Sequence, residues 1–319
     1  KADGSLLATA GDDRTVRIRD VAAGKATKTI TGLPAAVNSL ALSPDGRTLA
    51  AGCGNGAIRL IDPADGKTLS DLQGSGPAAF VAFGLGGKRI GATSPDGTLR
   101  IWALSDDRKP VGEPLLAQGH AGPILSLAAS PDGRTFATGG EDRTVRLWHA
   151  EDGKALGIKP VDGPARSLAF HPSDGTLACG LEGTIVLVGD SASPPRLDGL
   201  AGPITSVAWN ADGSRLAASS QSGGTKVWER HGAGVAAFGH LGDNKNAPAP
   251  PIHATAFLGK DAVVTASAAR TVKLWTCEGA WSEAPPLGPH ADRVLALDYS
   301  PDGKLLAAGG GPPARGGEI

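Results

Sequence analysis

The chain has 319 residues, and its 31 basic and 32 acidic side chains give a formal net charge of −1. A protein with so balanced a charge has no overall field that attracts nucleic acid or an anionic membrane. Aromatic residues make up only 4% of the chain, too few for the stacking platforms of proteins that bind single-stranded nucleic acid. We therefore expect no nucleic-acid partner.

Cysteine spacing and hydropathy argue against a metal-binding, haem-binding or membrane-spanning protein. The three cysteines, Cys53, Cys179 and Cys277, lie far apart and form no Cys-x-x-Cys motif. This spacing predicts no disulfide, zinc site or covalent haem, so we expect no cofactor. No apolar run approaches the roughly 20 residues that a membrane span needs. Because the chain begins at Lys1 and has no methionine, we expect it to be truncated at both ends.

Two sequence elements alternate from one end of the chain to the other. An Asp-Gly turn recurs at Asp3, Asp45, Asp132, Asp174, Asp212 and Asp302. A run of alternating apolar residues begins at Thr15, Ala57, Thr98, Thr144, Thr184, Thr225 and Thr271. The average spacing of these runs is about 43 residues, within the range of roughly 40 to 45 for the four-stranded blades of β-propellers.

The unit at residues 33–74 illustrates the predicted blade. Its strands are expected at Val37 to Ser43, Thr48 to Gly52, Ala57 to Asp62 and Thr68 to Leu72. The first two are apolar and the last is polar, which is typical of a sheet whose outer edge meets solvent. With 47 glycines and 24 prolines between short β-like runs, we predict an all-β fold without helices.

The repeat predicts one β-propeller domain over residues 1–319. Its approximate units are 1–32, 33–74, 75–119, 120–162, 163–200, 201–250, 251–290 and a partial unit at 291–319. Asp3 and Asp302 are 299 residues apart, or about seven periods. We predict seven blades, with a C-terminal strand at Arg293 to Ser300 that closes the first blade. Residues 301–310 duplicate residues 5–9, so eight blades with an incomplete last one remain open.

One unit carries a specific family pattern. Residues 120–148 read HAGPILSLAASPDGRTFATGGEDRTVRLW, which closely resembles the WD-repeat family. The resemblance implies that His120, Thr138, Asp142 and Trp148 form a buried hydrogen-bond chain. We interpret these four residues as structural, not catalytic, because their polar groups satisfy one another.

The resemblance weakens elsewhere in the chain. Arg19 stands where the family has Trp, and the unit near Thr184 has Val188 for Trp and Cys179 for the small hydroxyl residue. We expect such blades to depend more on apolar packing. The tail LAAGGGPPARGGEI resembles segments of large bacterial multidomain WD-repeat proteins, some of which carry cytochrome-type domains.

Recognition is expected on the loops, because the strands of a propeller are committed to packing. The turns between second and third strands should cluster on one face and place Asp12, Arg14, Glu141, Arg143 and Arg270 there. The arginines at equivalent positions could bind an acidic group, but solvated ion pairs are the preferred interpretation.

Two further features could contact a partner. An insertion at residues 240–251 contributes His240, Asp243 and Lys245, and it is either a binding element or a solvated loop. Trp281 is expected on an outer strand, where it either binds a partner or covers the edge of a neighbouring blade.

The first functional hypothesis is a non-catalytic scaffold that binds a protein or peptide partner as a monomer. The second is a docking or sensory module of a larger bacterial redox or signalling protein. A propeller hydrolase or lactonase is the third, and we do not predict it, because the seven histidines occupy different repeat positions and provide no metal cluster. The location is left open between the cytoplasm and, for a cytochrome-type protein, the periplasm.

Overall fold

The computed structural model describes residues 6–20, 25–77, 80–189, 194–231, 234–241, 250–258, 262–269, 272–277, 281–283, 296–299 and 306–309. The regular structure of this part is β-strand, apart from one 3₁₀ turn at Leu85–Gly87. Within these ranges no helix has the length and apolar character to cross a membrane. The all-β prediction is thus confirmed.

The strands in chain order are β1 (Leu6–Ala10), β2 (Val16–Asp20), β3 (Lys25–Ile30), β4 (Val37–Leu42), β5 (Leu49–Cys53), β6 (Ala57–Ile61), β7 (Thr68–Gln73), β8 (Val81–Gly84), β9 (Arg89–Thr93), β10 (Leu99–Leu104), β11 (Pro110–Ala117), β12 (Ile124–Ala129), β13 (Thr135–Gly140), β14 (Thr144–His149), β15 (Ala155–Pro160), β16 (Ser167–Phe170), β17 (Leu177–Gly180), β18 (Glu182–Val188), β19 (Arg196–Trp209), β20 (Arg215–Ser220), β21 (Thr225–His231), β22 (Gly234–Leu241), β23 (Ile252–Leu258), β24 (Ala262–Ser267), β25 (Val272–Cys277), β26 (Trp281–Glu283), β27 (Ala296–Tyr299) and β28 (Leu306–Gly309).

Within each sheet, neighbouring strands are consecutive in the chain and antiparallel, apart from the parallel pair β28 and β1. We number the sheets along the chain: sheet 1 has the order β27-β28-β1-β2-β3, sheet 2 is β4–β7, sheet 3 is β8–β11, sheet 4 is β12–β15, sheet 5 is β16–β22 and sheet 6 is β23–β26. Four of them have four strands, and sheet 5 has seven. The molecule is therefore an all-β propeller with four-stranded blades.

Sheet 2 shows why the sequence folds into this unit. Its strands lie within a residue or two of the predicted positions. The turn between β4 and β5 is fixed by Ser43, whose hydroxyl donates to Asp45 Oδ1 over 2.6 Å and accepts the Thr48 N–H over 2.9 Å. Gly46 has a φ of 67°, a left-handed conformation that glycine adopts without steric cost.

The sheets pack face to face around a central axis. Their innermost strands contact one another in the order β27, β4, β8, β12, β16, β19, β23 and again β27. Apolar side chains of successive sheets fill the spaces between them, as Leu40 and Leu49 of sheet 2 do against Val16 and Ile18 of sheet 1. Burial of such side chains is the main stabilising contribution to the ring.

A recurring serine joins consecutive innermost strands. Ser39 accepts the Val81 N–H over 3.1 Å, and Ser167 accepts the Val207 N–H over 2.9 Å. Ser206 accepts the Thr255 N–H of β23, and Ser126 donates to Ala165 O in the link before β16. These hydrogen bonds join neighbouring sheets along their innermost strands.

The closure of sheet 1 differs from the expectation. The predicted closing strand exists as β27, but it pairs with β28 and not directly with β1. β28 pairs in parallel with β1, in the register Ala8 to Ala307, Thr9 to Ala308 and Ala10 to Gly309. The duplicate second strand is therefore inserted into the sheet, because its sequence meets the same packing requirements as β1.

Candidate interaction site: a buried polar network and the turns beside it

A continuous hydrogen-bond chain crosses sheet 4. Trp148 donates its indole N–H to Thr138 Oγ1 over 2.8 Å, and Thr138 Oγ1 lies 2.7 Å from His120 Nε2. His120 Nδ1 lies 3.0 Å from Asp142 Oδ1. The network assigns the proton of a neutral His120 to Nδ1, so that Nε2 accepts from the threonine hydroxyl. Each of the four side chains is thereby satisfied.

Asp142 also fixes the turn between β13 and β14. It accepts the Ala121 N–H over 3.0 Å, the Thr144 N–H over 3.1 Å and the Thr144 hydroxyl over 2.8 Å. The Asp142 carboxylate thus connects the segment before β12, through Ala121, with the turn between β13 and β14, through Thr144. This arrangement holds the backbone of residues 141–143 rigidly.

Burial and hydrogen bonding set the charges in the network. Burial alone would raise the pKa of the Asp142 carboxyl, but hydrogen bonds from the Ala121 N–H, Thr144 and His120 lower it to about 2. Burial lowers the pKa of His120 below its usual 6.5, although the Asp142 carboxylate opposes the shift. At neutral pH the pair is therefore a carboxylate and an uncharged imidazole, which is suited to structure and not to proton transfer.

Other sheets keep only parts of this network. Trp275 donates to Thr265 Oγ1 over 3.0 Å in sheet 6. In sheet 3 the hydroxyl of the exposed Ser75 donates to Asp96 Oδ2 over 2.7 Å, so Ser75 makes the contact with the aspartate that His120 makes in sheet 4. Ser75 was not predicted from the sequence. Its position could have indicated it, because Ser75 precedes Asp96 by 21 residues, close to the separation of His120 and Asp142.

Where the polar residues are absent, apolar packing replaces them. Cys179 and Val188 are buried in one cluster with Leu168 and Val186. Burial raises the pKa of the Cys179 thiol to about 12, so this cysteine is an inert core residue. The expectation of more apolar packing in this blade is confirmed.

The turns that follow the second strands contain unusual backbone conformations. Arg14 and Arg143 have φ values of 57° and 60°, in the left-handed region that costs a residue with a side chain roughly 1 kcal/mol. The matching positions in sheets 2 and 3 are Gly56 and Gly97, with φ values of 89° and 76°. Glycine adopts this conformation freely, so Arg14 and Arg143 hold it at a higher backbone free energy than glycine would.

The arginine side chains extend into solvent. Arg14, Glu141 and Arg143 are exposed. Among the described residues, neither arginine forms an ion pair or a side-chain hydrogen bond. The preferred interpretation of solvated ion pairs for Arg14 and Arg143 is therefore wrong: the nearby carboxylates of Asp13 and Asp142 are bound within their own turns.

The remaining predicted contact residues are placed in part. Asp12 is half-buried in the same turn as Arg14. His240 was expected in a crossing loop, but its backbone belongs to β22 and pairs with Lys226, because the outer strand runs on to Leu241. The backbone of Trp281 begins the outer strand β26. Asp243, Lys245 and Arg270 lie outside the described residues.

Across the described ranges, no group of three or more His, Cys, Asp or Glu side chains is arranged to hold a metal ion. The polar groups around Asp142 are bonded to one another, and so are the buried hydroxyls of Ser219, Thr225 and Thr255.

Family models match several separate stretches of the chain. The model described as WD domain, G-beta repeat matches residues 1–20, 112–149, 196–229 and 285–311. A second model, the WD40 domain of anaphase-promoting complex subunit 4, matches residues 30–84. The network around His120 thus lies within a matched stretch.

Three of the curated relatives resemble the chain at 25 to 29% identity. WD repeat-containing protein SL1-17 of Schistosoma mansoni is 29% identical over 48% of this chain and 50% of its own length. Telomerase protein component 1 of Rattus norvegicus is 27% identical over 97% of this chain but only 12% of its own length. For target of rapamycin complex subunit LST8 of Bos taurus, the identity is 25% over 86% of this chain and 73% of that protein.

Two consequences follow from these relatives. The chain spans half or less of the length of the first two. All three are animal proteins, so they do not support the expected bacterial type. The matched WD40 models, the similarity to telomerase protein component 1 over 97% of this chain and the four-stranded blades agree on one assignment: the chain belongs to the WD40-repeat family.

Proposed function

We propose that this chain is a non-catalytic interaction scaffold that binds a protein or peptide partner through the loops on one propeller face. The observation that carries the proposal is the pair Arg14 and Arg143. Both residues are exposed and have a left-handed backbone, and neither forms an ion pair with any residue that the structure describes. Backbone strain of this kind is concentrated at functional positions.

The rigid base beneath the turn supports the same function. Asp142 connects the 141–143 turn to the Ala121 N–H and to His120. A side chain on a fixed turn loses less conformational entropy on binding than one on a mobile loop. Glu141 and Arg143 therefore present opposite charges in a preorganised arrangement, suited to a partner with complementary polar groups.

The names of relatives point in the same direction. LST8 is named as a subunit of the target of rapamycin complex, and RACK1y of Oryza sativa is named a small ribosomal subunit protein. Both names describe members of assemblies. We extend that role, but none of those partners, to this chain.

We further propose that the ring has seven blades. The cycle of innermost strands from β27 through β4, β8, β12, β16, β19 and β23 supports this count. Sheet 5 then consists of two blades that share β19, whose first residues pair with β18 and whose last residues pair with β20. We call the face that carries the turns at Arg14 and Arg143 the loop face.

Affinity capture with charge-deleted variants tests the proposed face. The double variant Arg14→Gly/Arg143→Gly removes both guanidinium groups and keeps a residue that favours the turn, as Gly56 and Gly97 do. The control is Arg134→Ala, an exposed arginine at the opposite end of β13. We expect proteins captured by the wild type from a lysate of the source organism to be lost from the double variant and kept by the control. Identical captured sets for all three proteins would contradict the proposal.

A second candidate is a docking module within a longer protein. The similarity to telomerase protein component 1 covers 97% of this chain and 12% of that protein, so in that relative the matching segment is one part of a larger molecule. Sequencing the intact open reading frame tests this candidate. A flanking haem-binding, kinase or membrane segment would support it, and a reading frame that ends with the propeller would contradict it. No specific observation favours the hydrolase or lactonase.

A further inference from the structure

Asn55 is an exposed asparagine that is followed by a glycine, in the turn between β5 and β6. An asparagine loses its side-chain amide when the backbone nitrogen of the next residue attacks its Cγ atom. The reaction is fastest before glycine, because no side chain shields that nitrogen. Among the described residues there are two other asparagines: Asn38 is exposed but precedes Ser39, and Asn210 is buried. Sequence and exposure thus favour the reaction together at Asn55.

The structure of the turn brings the reacting groups together. Asn55 Oδ1 accepts the Ala57 N–H over 3.2 Å, which folds the asparagine side chain back toward the intervening Gly56 nitrogen. The Gly56 N–H donates to Cys53 O over 3.0 Å, and this bond has to open before the nitrogen can attack. A turn with an exposed tip opens locally at a lower free energy than the strands on either side. The reaction therefore needs no unfolding of sheet 2.

Water is the only other reactant that the chemistry requires. The Gly56 nitrogen forms a bond to Asn55 Cγ, and the side-chain nitrogen leaves as ammonia together with the Gly56 amide proton. The product is a five-membered cyclic imide. Water then adds to one of the two imide carbonyl groups and breaks its bond to the Gly56 nitrogen. Cleavage at Cγ leaves aspartate, and cleavage at the backbone carbonyl leaves isoaspartate. Either product is a carboxylate at neutral pH.

The repeat shows that this turn accommodates an aspartate. Asp13, Asp96 and Asp142 occupy the position of Asn55 in sheets 1, 3 and 4. Each of the four residues accepts, through Oδ1, the backbone N–H two residues later. Hydrolysis to aspartate therefore keeps the hydrogen bond that Asn55 makes, and it gives sheet 2 the residue type that three other sheets have.

An arginine lies at the spacing that serves such a carboxylate. Arg59 follows Asn55 by four residues, and its guanidinium is bound to Asp71 over 2.8 Å. The same spacing gives two ion pairs in other sheets, Arg17 with Asp13 at 2.6 Å and Arg100 with Asp96 at 3.3 Å. We therefore expect Arg59 to attract a carboxylate at position 55 as well.

We propose that Asn55 is a site of spontaneous modification, where the side-chain amide is hydrolysed through a cyclic imide with Gly56. Because this turn corresponds to those at Arg14 and Arg143, the loop face gains one negative charge. The proposal concerns the chain's own chemistry with water, so it does not depend on the binding of a partner to that face.

Peptide mass spectrometry of the full chain, aged in mildly alkaline buffer, tests this proposal. The peptide that contains position 55 gains the mass difference between an amide and a carboxyl group, and Asn38 is the control within the same molecule. Ion-exchange chromatography of the intact protein follows the added charge. The matched variant is Asn55→Gln, whose longer side chain cannot form the five-membered imide. Its urea unfolding midpoint verifies that it folds.

We expect folded wild-type protein to convert Asn55 at least tenfold faster than Asn38, and the acidic species to decrease strongly in Asn55→Gln. Conversion of Asn55 in urea but not in the folded protein would overturn the proposal, because the bond from the Gly56 N–H to Cys53 O would then protect the site. Equal rates at Asn38 and Asn55 would also overturn it. The measurement on the wild type gives this answer even if Asn55→Gln does not fold.

Discussion

Trp275 donates its indole N–H to the hydroxyl of Thr265 over 3.0 Å. The same pair of residue types, Trp148 and Thr138, is separated by 2.8 Å in sheet 4. The two sheets differ in what lies beyond the threonine: in sheet 4 the chain continues to His120 and Asp142, whereas Ala269 occupies the aspartate position of sheet 6. This difference gives a direct test of what the full network contributes.

Thr138→Val should destabilise the protein more than Thr265→Val. The first substitution leaves both the Trp148 N–H and His120 Nε2 without a partner, and each buried unsatisfied group costs about 1 to 3 kcal/mol. Thr265→Val leaves only the Trp275 N–H without its partner. We expect losses in the free energy of unfolding of about 3 and about 1 kcal/mol, measured by urea denaturation. Equal losses would mean that the His120 part of the network contributes nothing.

Acid should weaken the network in two steps. The lowered pKa of His120 means that folding favours the neutral imidazole, so this contribution to stability is complete above pH 6.5 and is lost as the pH falls below it. The pKa of Asp142 falls from 3.8 to about 2, so its contribution is present above pH 3.8 and is lost as the pH falls toward 2.

NMR titration of the His120 ring nitrogens checks the first step, with the chain in concentrated urea as the reference. We expect His120 to titrate at a lower pH in the folded protein than in urea. A folded-state value above the urea value would show that the Asp142 charge outweighs burial, and the sign of the pH dependence would be reversed.

Gly56, in the turn between β5 and β6, and Gly32, in the link between β3 and β4, should differ in their tolerance of a side chain. A Cβ at Gly56 would stand 2.6 Å from the carbonyl oxygen of Gly76, whereas a Cβ at Gly32 meets nothing within 4 Å. Both residues have positive φ. We expect Gly32→Ala to cost about 1 kcal/mol from the backbone conformation alone and Gly56→Ala to cost about 3 kcal/mol because of the added clash. Thermal unfolding of the two variants measures the difference, and similar midpoints would contradict this explanation.

Cys179 should resist alkylation in the folded protein. Its side chain is fully buried, and burial raises its pKa to about 12, so almost no thiolate is present at pH 8. We expect iodoacetamide to leave Cys179 unmodified under native conditions and to modify it in urea, with peptide mass spectrometry as the readout. Rapid native modification would place this thiol at an accessible site.

The fold was predictable because its determinants are local and periodic. The strands around Pro44-Asp45-Gly46 follow from turn chemistry and alternating apolar residues, which repeat in most units. The pairing of β28 with β1 was not predictable, since both sequences meet the requirements of a second strand and only the three-dimensional arrangement determines their order. The length of β22, which includes His240, likewise depends on pairing with β21.

The interaction surfaces were predictable only in part. The positions of Arg14 and Arg143 follow from the repeat, but the absence of ion pairs depends on where Asp13 and Asp142 point. The exposed apolar side chains of β11 and β15 were missed because outer strands were expected to be polar. The bridging serines at 126, 167 and 206 had a visible signal, their spacing of about one repeat.

Site-specific photo-crosslinking tests the central claim, that the loop face binds the partner, most directly. Benzoylphenylalanine is placed at Glu141 on the proposed face and at Arg134 at the opposite end of β13, both exposed positions. The account predicts that a partner captured by the wild type crosslinks at position 141 and not at position 134. Crosslinking at 134 alone would contradict it and would assign binding to the other face of the propeller.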